Sequence, residues 1–106
     1  MEFKEEKEVI ELINHVKDIN EQLIEKNAYK IRILIKDIQK TIKEETLIYE
    51  ITEAKGDLSK LSLIDNIDIN VLYNKLPMYR NLCIKKIVEV CGKDCAEKLL
   101  RKEKLL

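Results

Sequence analysis

A chain of 106 residues is the size of one domain and has material for a single hydrophobic core. Its 45% apolar share is that of a globular protein, and its 38% charged share is well above the usual level. Twenty basic and twenty acidic side chains cancel, which excludes a global field that would draw in nucleic acid or a membrane surface. Two glycines and one proline leave room for long helices and argue against a sandwich or barrel of short strands. The halves differ mildly: residues 1–56 hold 10 basic and 13 acidic side chains, residues 57–106 hold 10 and 7. That −3/+3 asymmetry suits a head-to-tail contact as well as a polyanion.

The start, MEFKEEKEVIELI, is acidic and charged rather than a basic region followed by an apolar run, so it does not read as a leader. Apolar runs reach only three residues, far short of the roughly 20 of a membrane span. No membrane association is expected. Three cysteines without a leader favour a reducing compartment, cytoplasmic or otherwise intracellular.

The pattern from Glu5 to Lys26 predicts a first helix, with Val9, Leu12, Ile13, Val16, Ile19, Leu23 and Ile24 as its apolar stripe. Glu2, Glu5, Glu6 and Glu8 complement the dipole of its first turns. Asn27 marks the break, as a left-handed terminator of one helix and the cap of the next. From Ala28 to Ala54 there is neither glycine nor proline, and Ile31, Leu34, Ile35, Ile38 and Ile42 recur at helical spacing. The two segments should therefore fold as an antiparallel helical hairpin. A minor α+β alternative remains, because Tyr29, Ile31, Ile33 and Ile35 also alternate and TLIYEIT at 46–52 has strand character. The absence of a tight turn between the two runs disfavours that pair of strands.

Gly56-Asp57 should close the hairpin, followed by a short helical turn with Leu58, Leu61, Leu63 and Ile64. Asp68 is placed to cap a helix from Ile69 to Leu76, stopped by Pro77, which then opens a further helix to Cys91. Gly92 ends it, and Asp94 with Glu97 reads as a capping box for a last helix over 95–105. The expected fold is all-α: a single domain in which the N-terminal hairpin packs with three to four shorter C-terminal helices.

Chemistry has little to assemble from. Cys83, Cys91, Cys95 and His15 are the only soft ligands, and their spacing lacks the paired short-range motif that zinc requires. Cys83 and Cys91 read as small core residues, and His15 as a surface or boundary residue. There is no Gly-rich phosphate loop, GxSxG or HExxH. No enzyme activity, metal or cofactor is expected.

Two binding readings remain. In the first, Ile33 and Leu47 fall off the main stripe of the second helix, and Leu105 and Leu106 end the chain exposed. Surplus apolar positions on a hairpin call for a second partner surface, most simply another copy paired two-fold into a four-helix bundle, together with a docked protein partner. In the alternative, residues 77–105 have helix-turn-helix proportions, and Arg80, Lys85, Lys93, Lys98, Arg101 and Lys102 would meet nucleic acid. Against this, Lys98 occupies a position that is ordinarily apolar where a recognition helix packs on its partner. The expected function is a non-enzymatic protein–protein interaction module, homodimeric, with a small nucleic-acid-binding regulator as the alternative.

Overall fold

A computed structural model describes residues 3–42 and 64–105, with residues 3–5 described in backbone only. Four helices make up the described chain: α1 (Phe3–Glu25), α2 (Ala28–Ile42), α3 (Ile69–Cys91) and α4 (Lys93–Lys102). The fold is all-α, and no strand occurs among the described residues. Residues 29–35 are helical, which removes the strand alternative there; TLIYEIT lies outside the described residues. So do the continuation of α2 past Ile42, the Gly56-Asp57 turn and the helical turn expected at 58–63.

The periodicity of the sequence is the periodicity of burial. Val9, Leu12, Ile13, Val16 and Ile19 of α1 are buried, as are Ile31, Leu34, Ile35, Ile38 and Ile42 of α2. Ile24 departs from the expected stripe and is 87% exposed, since Leu23 is the one of the two that turns to the core. Helix α1 lies on both α2 and α3, α2 also touches α3, and α4 packs against the end of α3. Among the described residues one core runs between these four contacts.

Helix α1 ends because Lys26 takes a left-handed backbone, φ 52°, and Asn27 then caps α2 by accepting the Lys30 N–H at 3.1 Å. One residue does not fill both roles, because an N-cap keeps its own φ in the extended region. Gln22 secures the corner: its Oε1 accepts the Asn27 N–H at 3.0 Å and its Nε2 donates to Glu25 at 2.8 Å. Tyr73 on α3 donates its hydroxyl to the Leu23 carbonyl at 2.7 Å, and the Lys26 ammonium sits over its ring at 4.9 Å.

A single 3₁₀ turn over 64–66 carries the buried Ile64. It is held to α2 by Arg32, which donates to the Ile64 carbonyl at 2.6 Å, and by the Lys36–Asp65 ion pair at 2.7 Å. Asp68 then caps α3 as expected, accepting the Asn70 N–H at 2.8 Å.

Helix α3 corrects the sequence reading. It runs unbroken through Pro77, so the two helices expected at 69–76 and 77–91 are one. Leu72, Leu76, Tyr79, Cys83 and Ile87 form one buried stripe across the proline, and breaking the helix there would take half of them off the core. Pro77 itself faces solvent, where water can satisfy the carbonyl it leaves unbonded.

The start of α4 is a second correction. The helix begins at Lys93 with Gly92 as its cap at φ 90°, and no side chain caps it. Asp94 is therefore inside the first turn, two residues past the cap position that a capping box needs, and acts only as a charge near the dipole. At the other end Lys104 is left-handed, φ 59°. Leu105 N–H bonds the Leu100 carbonyl at 2.8 Å and Lys104 N–H bonds that of Arg101 at 3.0 Å. This is a Schellman closure, which folds the residue after the left-handed position back onto the last turn.

Candidate interaction surface

Helices α2 and α4 flank α1 on opposite sides. His15 Nε2 lies 2.9 Å from Thr41 Oγ1 on α2, while Lys17 makes a 2.8 Å ion pair with Glu103 just past α4. Two residues advance about 200° around a helix, so these partners mark the two flanks. A groove runs along each.

The α1–α2 groove has a volume of about 300 Å³ and is lined by Asp18, Glu21 and Gln22 from one helix and Lys30, Ile33, Leu34 and Asp37 from the other. Ile33 is 41% exposed at its edge, and Tyr29, one turn earlier on the same face of α2, is 74% exposed. Lys30 is paired with Glu25 at 3.5 Å, whereas Asp18, Glu21 and Asp37 have no ion pair among the described residues. The result is an exposed Tyr–Ile pair beside an acidic, partly apolar groove. Of the residues expected at an interface, Ile33 is here; Leu47 and Leu106 lie outside the described residues.

Leu105 does not belong with them. It is 8% exposed, because the Schellman closure lays it against the buried Leu100. Its carbonyl accepts from Arg80 at 3.1 Å, and the Arg80 Nε is buried without a hydrogen-bond partner. Arg80 is thus half-buried and tied to the residue that closes the C-terminal end of α4.

The α1–α4 groove, about 350 Å³, is lined by Val9, Ile10, Ile13 and Leu99, with Ile10 half-exposed. The Lys17–Glu103 pair stands at its rim, and Lys17 holds the Glu103 carboxyl below its usual range. The remaining expected cations, Lys85, Lys93, Lys98, Arg101 and Lys102, are all exposed. Helices α3 and α4 are joined by the single residue Gly92, shorter than the three- to four-residue turn of a helix-turn-helix.

His15 is buried, not a boundary residue, since Thr41 satisfies its ring. Burial lowers its pKa, against the opposing pull of Glu11, Asp37 and Asp18. Cys83 is a core residue, its thiol pushed up to about 12 by burial. Cys91 is also pushed up to about 12, by burial and by a hydrogen bond with Cys95. Among the described residues no three His, Cys, Asp or Glu side chains gather as a metal site, and no helix is long and apolar enough to cross a membrane.

The sequence signal that could have found Tyr29 is its i, i+4 spacing to Ile33, off the core stripe. Asp18 and Glu21 share a face of α1 at i, i+3 spacing, but Asp37 gives no such signal, because only the hairpin register brings it to them. Fold and surface together define a small all-α domain with an exposed helical-hairpin face. No family model matches the chain, and neither a curated protein nor a solved structure matches it.

Proposed function

We propose that this chain is a small non-enzymatic interaction module that acts through the outer face of the α1–α2 hairpin, by self-association and by docking a protein partner. The observation that carries the reading is the exposed Tyr29–Ile33 pair beside a groove of about 300 Å³. Exposed apolar residues are ordinary when scattered singly, as Val71 and Val88 are on α3. Two on one face next to a concave, partly apolar surface are the pattern of a partner site. Three free cysteines accord with an intracellular setting.

The test is the molar mass of Ile33→Glu. A buried glutamate at the centre of an interface carries a desolvation penalty without a partner charge, so the variant should run at the 12.5 kDa of one chain while the wild type exceeds it. Equal masses for the two proteins would sink the reading. A second reading, nucleic-acid binding, is supported by the exposed Lys98, Arg101 and Lys102 of α4. It would show as duplex binding that fades as salt rises.

A further inference from the structure

The unpaired charges are sorted to opposite flanks of α1. On the α2 flank, Asp18, Glu21 and Asp37 surround the groove beside Ile33 without an ion pair among the described residues. On the α4 side, Lys98, Arg101 and Lys102 are exposed within five consecutive positions, also without one. Asp94 and the half-buried Glu97, one turn before Lys98 and Arg101 respectively, are the carboxylates beside that face of α4, against three cations. The chain as a whole is neutral, so both surpluses are local.

Symmetry then decides how two copies can meet. A two-fold contact sets a patch against itself, and here it would press carboxylates on carboxylates or ammonium groups on a guanidinium. A head-to-tail contact instead sets the acidic groove of one copy on the basic α4 face of another. The long methylene stems of the lysines and arginine can cover Ile33 while their charged heads reach the carboxylates. We propose that the α1–α2 groove is occupied by the α4 face of a second copy of this chain, with Asp18, Glu21 and Asp37 of one copy facing Lys98, Arg101 and Lys102 of the next. This rests on the interaction reading above and specifies its geometry. Because groove and α4 lie on opposite flanks, each copy keeps one unfilled face after the first contact, and assembly proceeds beyond two copies or closes as a ring.

The experiment uses two full-length variants, Asp18→Lys/Glu21→Lys/Asp37→Lys and Lys98→Glu/Arg101→Glu/Lys102→Glu, with light scattering at low ionic strength and circular dichroism to verify folding. If either fails to fold, the neutral versions with Asn or Gln at the same positions replace it. Each variant alone should run as one 12.5 kDa chain. An equal mixture should recover a 1:1 complex, because one variant retains the basic face and the other the acidic groove. The reversed groove of one variant also opposes in charge the reversed α4 face of the other, so the mixture can grow past two chains, and it should dissociate near 1 M salt, where the Debye length is about 3 Å. Variants that assemble like the wild type, or a mixture that stays as single chains, would overturn the proposal. If Ile33→Glu dissociates the wild type while the charge variants still assemble, the interaction module stands and the head-to-tail geometry falls. A wild type that is a single chain at low salt overturns it as well. So does a short random DNA duplex that binds only when Lys98, Arg101 and Lys102 are present, with no change in assembly.

Discussion

Tyr79 on α3 donates its hydroxyl to Oε1 of Gln39 on α2 at 2.8 Å, and both side chains are fully buried. A polar bond in the middle of an aliphatic core fixes the register of one helix on another, because a slip would leave desolvated groups facing hydrocarbon. Tyr79→Phe should lower the unfolding free energy by about 1–3 kcal/mol, and Gln39→Leu by a similar amount. In the double variant the losses should fall short of the sum by at least about 0.5 kcal/mol, as expected for residues in contact. Urea unfolding of the four proteins measures this. Strict additivity would mean that the bond does not couple α2 to α3.

Pro77 separates two accounts of α3. Inside a continuous helix, Pro77→Ala restores a backbone donor and relieves a clash, and should raise stability by about 1–3 kcal/mol. At the first position of a separate helix, the same change would be neutral or slightly harmful, since proline is suited to that place. A raised urea midpoint is expected, and a lowered one would restore the break.

The C-terminal closure has a similar signature. Leu105→Ala should cost about 2 kcal/mol or more, as for a core leucine, where a surface leucine would change stability by less than about 0.5 kcal/mol. Lys104→Gly should instead stabilise by a few tenths to about 1 kcal/mol, because glycine adopts the left-handed backbone without strain. Opposite signs at adjacent positions are a sensitive check on the motif.

Burial holds the His15 pKa below its ordinary value near 6.5, so the unfolded chain takes up a proton before the folded one as pH falls. Stability is therefore retained above about pH 6.5 and declines below it, by up to about 1.4 kcal/mol per pH unit, the ceiling for one proton. His15→Gln should flatten the pH dependence between pH 7.5 and pH 5.5, above the range where ordinary carboxylates titrate. An unchanged slope would assign that dependence to other groups.

The core was legible where one periodicity served both local structure and burial. Every apolar residue at the expected positions 31, 34, 35, 38 and 42 is buried, and Asp68 caps its helix. Local rules failed where tertiary contacts overruled them. Proline's preference for breaking a helix yields at Pro77 to the buried stripe of α3. Left-handed termini occur at Lys26 and Lys104, residue types that do not advertise that backbone. Ile33 was legible as a surface residue because it lies off its stripe. The acidic rim was not, since a carboxylate on a solvated helix face looks the same in sequence whether or not two others converge on it in the fold.

The most direct measurement is light scattering of the wild type and Ile33→Glu across a concentration series at low salt. Self-association through the α1–α2 face predicts a wild-type mass that rises above the 12.5 kDa of one chain to at least twice that value, and a variant that stays at one chain. A wild type that remains a single chain throughout, or an Ile33→Glu mass that follows it upward, would contradict the proposed function.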